Sequence, residues 1–313
     1  MLAAILAKSK RQSRAELPVW LAPLLVACLA CAGAAGARAE VSGPDAAAVL
    51  RDKYSKLKEQ LDHNQFKRPI HLDSTQTSSE LRGDIHAVVN YPFATVGAAL
   101  NGPEQWCDVL ILHLNTKYCR PARSPQGTVL RVKVGKKFDQ PLSDAHQVDF
   151  DYRVAATTPV YLQVLLNADA GPLSTRNYRI QLEAVALDSK STFIHLSYSY
   201  GFGMAGKLAM QVYLGTIGRD KVGFTVKGKQ SDGHPEYIDG IRGLVERNTM
   251  RYYLAIESYL GALSLPPQAQ LEKRLHDWFS AAERYPRQLH EMEENEYMDM
   301  KRKEYRRQQQ AES

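Results

Sequence analysis

The 313-residue sequence predicts an α+β fold, in which an antiparallel sheet with one apolar face is covered by a long helix near the C-terminus. Three observations predict it. Five strand-like segments follow one another between residues 128 and 200, separated by turn signals, as antiparallel neighbours require. In the last two, Ile180, Leu182 and Ala184, then Ile194, Leu196 and Tyr198, share one face. Arg179, Gln181 and Glu183, with His195 and Ser197, share the other, so the sheet has one apolar side to cover. A helical stripe over 240–263 runs through Leu244, Val245, Tyr252, Ile256, Tyr259 and Leu260 and supplies the cover, with Asp239 placed to cap it.

The first 39 residues read as a leader. Lys8, Lys10, Arg11 and Arg14 precede the short apolar run "PVWLAPLLVACLACAGAAG", and Ala37-Arg38-Ala39 is a small-x-small cleavage site. That run is shorter than the roughly 20 residues that span a bilayer. Residues 1–39 are therefore expected to be a signal peptide and the mature protein to be periplasmic or secreted. The alternative is a lipoprotein anchored through Cys28 of Leu25-Val26-Ala27-Cys28, with Leu29 an awkward residue to follow a lipidated cysteine. The leader carries five basic residues (Arg38 is the fifth) and one acid, Glu16. Without it the 40 Lys+Arg and 34 Asp+Glu fall to 35 and 33, a net charge of +2. A chain so near neutrality has no broad basic footprint, which excludes nucleic acid as a partner.

Residues 44–62 read as an amphipathic helix through Val49, Leu50, Tyr54, Leu57 and Leu61, and "DSTQTSSE" (73–80) as a polar linker. "LRGDIHAVVNY" (81–91) alternates as a strand. Its Arg82-Gly83-Asp84 is the tripeptide of integrin ligands, but it opens a strand where an adhesive motif would tip a loop. Two short helices follow, over 93–100 and from Pro103 to about Asn115. The second decides the pairing of the two cysteines left in the mature chain. Cys107 and Cys119 at the ends of one extended strand would lie about 40 Å apart. A helix and a reversal at Asn115-Thr116 bring them together as one disulfide. After Pro266-Pro267 another amphipathic helix runs through Leu271, Leu275, Trp278 and Tyr285, and 288–313 reads as a charged, solvated, fraying helix.

This order of strand, two short helices, antiparallel strands and long helix resembles the helix-grip fold of START-related proteins, the polyketide cyclase and lipid-transfer (SRPBCC) superfamily. The resemblance covers about 81–263. "RGDIHAVVNYPFATVGAALNGPEQWCDVLILHLNTKYC", "LSYSYGFGMAGKLAMQVYLGTIGRDKVGFTV" and "IRGLVERNTMRYYLAIESYL" are also similar to an exported bacterial branch. It implies a curved sheet gripped by the last helix of the fold, with a hydrophobic ligand held between them. A few members use that space for catalysis. The N-terminal helix and linker (44–80), the 202–238 insertion and the C-terminal helical extension (266–313) lie outside the minimal fold and inherit nothing.

"GFGMAG" spells GxGxxG at Gly201, Gly203 and Gly206, the spacing of a dinucleotide-binding turn. That fold needs a parallel strand ending in an acid after the helix. The next candidate, 221–228, ends at Lys227, and the preceding strands are hairpin-spaced. The glycines are therefore expected to turn the chain out of a strand and seat a helix closely. Residues 204–216, with Met204, Leu208 and Val212 in helical register, would lid one mouth of a cavity.

No GxSxG, HExxH, paired CxxC or phosphate loop is present, and no cofactor or metal is called for. His86, His113 and His195 read as surface or hydrogen-bonded histidines. Glu183 and Asp188 have no evident partner in the pattern. Glu246 has two readings: a solvated helix carboxylate paired with Arg242 or Arg247, or a lone carboxyl inside an apolar cavity. The 16 tyrosines point to the site. Tyr198 and Tyr200 on the last strand, with Glu246, Asn248, Tyr252 and Tyr259 on the long helix, would line one chamber for a hydrophobic or amphipathic, lipid-like molecule. An ordinary aromatic core is the competing reading of the tyrosines. Two other functions stay open. One is a cyclase- or hydrolase-like enzyme using the same cavity, the other a scaffold binding a protein partner through its C-terminal helices. Peripheral membrane contact is a further partner class.

Overall fold

A computed structural model of the chain describes residues 43–215 and 219–310. Cleavage after Ala39 and lipidation of Cys28 both fall outside the described residues.

Helix α1 (Gly43–Asp62) buries Ala47, Leu50, Leu57 and Leu61, spaced three and four apart. Val49, expected on that stripe, is 64% exposed, because it lies one position round the helix from Leu50. Strand β1 (Ile70–Gln76) takes up the first half of the expected linker. Ile70 and Leu72 pack on the main core, the residues after them are polar, and the backbone pairs antiparallel with β2 (Glu80–Val89) over the whole strand. Helices α2 (Phe93–Leu100) and α3 (Pro103–Leu110) follow, the second with its proline at the first turn. They carry the chain to the far edge of the sheet.

There β3 (Thr116–Ser124), β4 (Gly127–Val134), β5 (His146–Thr157), β6 (Tyr161–Ala170), β7 (Thr175–Ala186) and β8 (Thr192–Phe202) run back hairpin by hairpin. The sheet has eight antiparallel strands in the order β1-β2-β8-β7-β6-β5-β4-β3. Register irregularities between Val154 and Ala156 and between Arg176 and Arg179 bend it. Across the middle, Ile85, Leu196, Leu182 and Val164 stand in one row, facing the main core. The next row, on the opposite face, reads His86, His195, Glu183 and Gln163. The alternation read from the sequence thus has both faces right.

Gly201 lies in β8, and helix α4 (Met204–Gly215) begins just beyond Gly203. Strand β8 is antiparallel to both neighbours, and β9 (Val226–Lys229) pairs with β10 (Pro235–Tyr237) in a separate ribbon. No parallel crossover follows the glycines, so they do not build a dinucleotide site.

Helix α5 (Gly240–Gly261) crosses the concave side over β1, β2 and β8. Its approach to β2 is so close that a Cβ on Gly83 would collide with the Thr249 side chain. The middle residue of the Arg-Gly-Asp tripeptide is therefore a packing residue. Helix α6 (Pro267–Glu283) lies on the other side of α5, and the short α7 (Pro286–Leu289) leads to α8 (Glu294–Gln309).

Helix α8 is not a solvated tail. Its Tyr297 stacks on Trp278 with ring centroids 4.9 Å apart and donates to the Leu112 carbonyl. Lys301 donates to the carbonyls of His113 and Thr116 and to Glu304, which also accepts from Lys117. All three charged side chains are buried. Gln308 accepts the backbone N–H of Cys119, whose sulfur is bonded to that of Cys107 with the two Cα atoms 5.1 Å apart. The charged composition concealed a helix whose inner face is made of paired charges.

Candidate functional site: an aromatic cavity under the long helix

The core is hollow at one end. A cavity of about 930 Å³ lies among β4, β5, β7 and β8, the end of α3, α4 and α5. Period-two alternation sends Val132, Val148, Phe150, Ile180, Tyr198 and Tyr200 to its wall from four different strands. Helix α5 contributes Leu244, Asn248 and Tyr252 four residues apart, on one helical stripe. Met210 reaches the cavity from α4, its sulfur 3.7 Å from the Tyr200 hydroxyl. The helix expected to lid a mouth therefore forms part of the wall, while its Met204 and Leu208 face solvent.

The rings form a continuous surface. Tyr178 stacks on Tyr200 at 5.2 Å, Tyr198 meets Tyr252 at 5.2 Å, and Tyr252 stacks on His113 at 4.7 Å. Burial pushes the Tyr178, Tyr198, Tyr200 and Tyr252 hydroxyls above their ordinary range, so they stay protonated. Burial first, then the positive charges of Arg251, Lys301, Lys137 and Lys117, hold the His113 imidazole well below its ordinary value and keep it neutral. At the rim, Lys137 donates to Glu291 at 2.5 Å and Arg251 donates to the same carboxylate at 2.7 Å. Phe138 and Leu173, which also line the cavity, are more than half exposed.

Four of the six expected residues, Tyr198, Tyr200, Asn248 and Tyr252, come together here. Glu246 and Tyr259 do not. Glu246 is fully buried elsewhere on α5, where its carboxylate accepts from the Ser74 and Thr225 hydroxyls and from the backbone N–H groups of Phe224 and Thr225. It clasps β1 and the segment before β9 to the helix, and every bond it can accept is used structurally, so neither sequence reading of it holds. Tyr259 lies beneath the Arg274 guanidinium, 4.2 Å from its ring centroid, with Arg274 paired to Asp108 at 2.8 Å. Both miss the cavity because a 22-residue helix carries more inward positions than one cavity can use.

Sequence reasoning missed Tyr178 and His113. Tyr178 lies within a register irregularity of β7, yet it alternates in step with Ile180 and Leu182, and extending that face by one position would have found it. His113 stands in the turn after α3, and its burial depends on Tyr252, far away in the chain. Glu183, thought partnerless, accepts from Tyr161 at 2.7 Å and pairs with His195 at 2.9 Å on the opposite face of the sheet. Among the described residues, no group of three or more His, Cys, Asp or Glu is arranged to hold a metal ion.

No protein-family model matches the chain, and no curated protein matches it either. Solved structures similar to it include a START superfamily protein from Mycobacterium smegmatis, at 15% identity over 45% of this chain and 93% of that one, with a TM-score of 0.30. The Zhui aromatase/cyclase from Streptomyces sp. R1128 is similar at 11% identity over 68% of this chain and 95% of that one, with a TM-score of 0.28. A truncated norcoclaurine synthase from Thalictrum flavum is similar at 14% identity over 46% and 91% of the two chains, with a TM-score of 0.32. In its own topology, a strand and two helices entering a bent antiparallel sheet that closes on one long helix, the chain has a helix-grip fold.

Proposed function

We propose that the protein encloses one hydrophobic or amphipathic small molecule between the sheet and α5, and carries or senses it outside the cytoplasm. The observation that supports this reading is the cavity of about 930 Å³, whose surface is mostly aliphatic and aromatic, with charged groups such as Lys136, Lys137 and Glu291 among its lining. Burial of apolar ligand surface would contribute about 25 cal/mol per Å² before the costs of association. Tyr198, Tyr200, Asn248 and Tyr252 are the contacts, an apolar body with polar tips. The leader and the Cys107–Cys119 bridge support the compartment.

Native mass spectrometry of the protein recovered from the extracytoplasmic fraction, followed by organic extraction, tests this. The expected result is a stoichiometric adduct of a few hundred daltons that extracts into organic solvent. A bare chain that also fails to take up N-phenylnaphthylamine would end the proposal.

A further inference from the structure

His113 is unlike any other group on the cavity wall. It is 3% exposed and stacked on Tyr252. The backbone N–H of Asn115 donates to its Nδ1 at 3.1 Å. A neutral imidazole that accepts at Nδ1 carries its proton on Nε2. That Nε2 has no hydrogen-bond partner. A buried N–H left unpaired costs free energy, so such groups call for an explanation. The turn that presents the ring is itself fastened, since Lys301 on α8 donates to the His113 backbone carbonyl.

We infer that His113 is a specificity-determining residue, whose Nε2–H donates to an acceptor oxygen, of the carbonyl or ester type, on the enclosed molecule. The inference rests on the enclosure reading and names the ligand class: an apolar body bearing at least one acceptor oxygen that comes to rest beside Tyr252. A pure hydrocarbon would leave the donor unpaired. A ligand offering only a donor would find the ring's one lone pair already taken by Asn115.

Two fluorescent probes separate the claims. N-phenylnaphthylamine has an apolar body and no acceptor oxygen, whereas prodan adds a ketone to a similar naphthalene. Wild-type protein is expected to bind both. His113→Phe keeps a ring against Tyr252 and removes the donor. It is expected to weaken prodan about tenfold while changing N-phenylnaphthylamine less than about twofold. A wild-type protein that binds neither probe overturns the enclosure reading and this inference with it. Binding of both, with His113→Phe weakening the two equally or not at all, overturns the role of His113 alone. If the variant does not fold, the infrared carbonyl band of prodan bound to the wild type decides. A band shifted below its aprotic-solvent position supports the donor, and an unshifted one overturns it.

Discussion

The two faces of the sheet come from the same strands and use buried polar groups in opposite ways. On the convex face, His195 pairs with Asp84 at 2.7 Å and Glu183 at 2.9 Å, Arg82 donates twice to Asp84, and Tyr161 donates to Glu183. His86 stacks flat on His195 at 4.3 Å, and α1 packs Leu50 and Leu57 beside the network against Tyr161, Val185 and Phe193. Because both ring nitrogens of His195 face carboxylates, the ring is an imidazolium. Burial alone would lower it, but the hydrogen bonds to Asp84 and Glu183 outweigh that and raise it. The same bonds overcome burial in the two carboxylates and lower them. Burial, and next the charge on His195, lower His86 to about 3, so it is neutral. The concave face has no such closure: its tyrosines and His113 surround a hole. The Asp84–His195–Glu183 triad satisfies itself and has nothing to offer a ligand, and His86 beside it, though its Nδ1 is unpartnered, is sealed beneath α1. On the concave face the unused donor belongs to a ring that lines a cavity.

The comparison breaks first at His195. His195→Gln removes the cation between two partly buried carboxylates and is expected to cost about 2 kcal/mol in urea unfolding, between the cost of breaking an exposed ion pair and that of breaking a fully buried one. The difference from wild type should depend on pH. The carboxylates' share is complete above about pH 4 and is lost as pH falls through their depressed native values. The imidazolium's share is complete below about pH 6.5 and is lost as pH rises through its raised native value. The wild-type advantage is thus greatest between about pH 4.5 and 6.5, and a flat difference across pH 3–9 would contradict the ionised triad.

Gly83→Ala tests the close-packed end of the concave face. The new methyl meets Thr249, so a loss of about 2 kcal/mol is expected in the same assay, with Thr249→Ala partly restoring it. Tyr252→Phe tests the hollow end. Its hydroxyl faces the cavity side of α5, and stability is expected to change by less than about 0.5 kcal/mol. A loss comparable to that of His195→Gln would mean that the hollow end is as self-satisfied as the convex face.

Much of this was legible before the structure. Alternation gave the strands and both faces, the stripe gave α5, and the Pro103 helix brought Cys107 to Cys119. Four of six chamber residues followed from those faces. The failures share a cause. The second half of β1 is polar, its Ser74 bonded to Glu246, and in α8 Lys301 and Glu304 are buried together with Lys117. A charge looks solvated in a sequence unless its partner is known, and Ser74 lies more than 150 residues from Glu246, as Lys117 does from Glu304. Glu183 and His195 were nearer to hand. The tight turn around Asp188 fixes the β7–β8 register, and that register alone sets the two side by side.

One feature of the topology bears on how such a chain is made. Strand β2 has β8 as its inner neighbour, and more than a hundred residues separate the two. Helix α5 must then cover both, and the last ten residues of α8 fasten the turn that carries His113. A chain emerging N-terminus first presents β1 and β2 as a two-stranded ribbon, which is barely stable alone. The sheet therefore closes only when almost all of the polypeptide is available. Such a late-closing topology leaves most of the polypeptide without a finished sheet until its far end arrives.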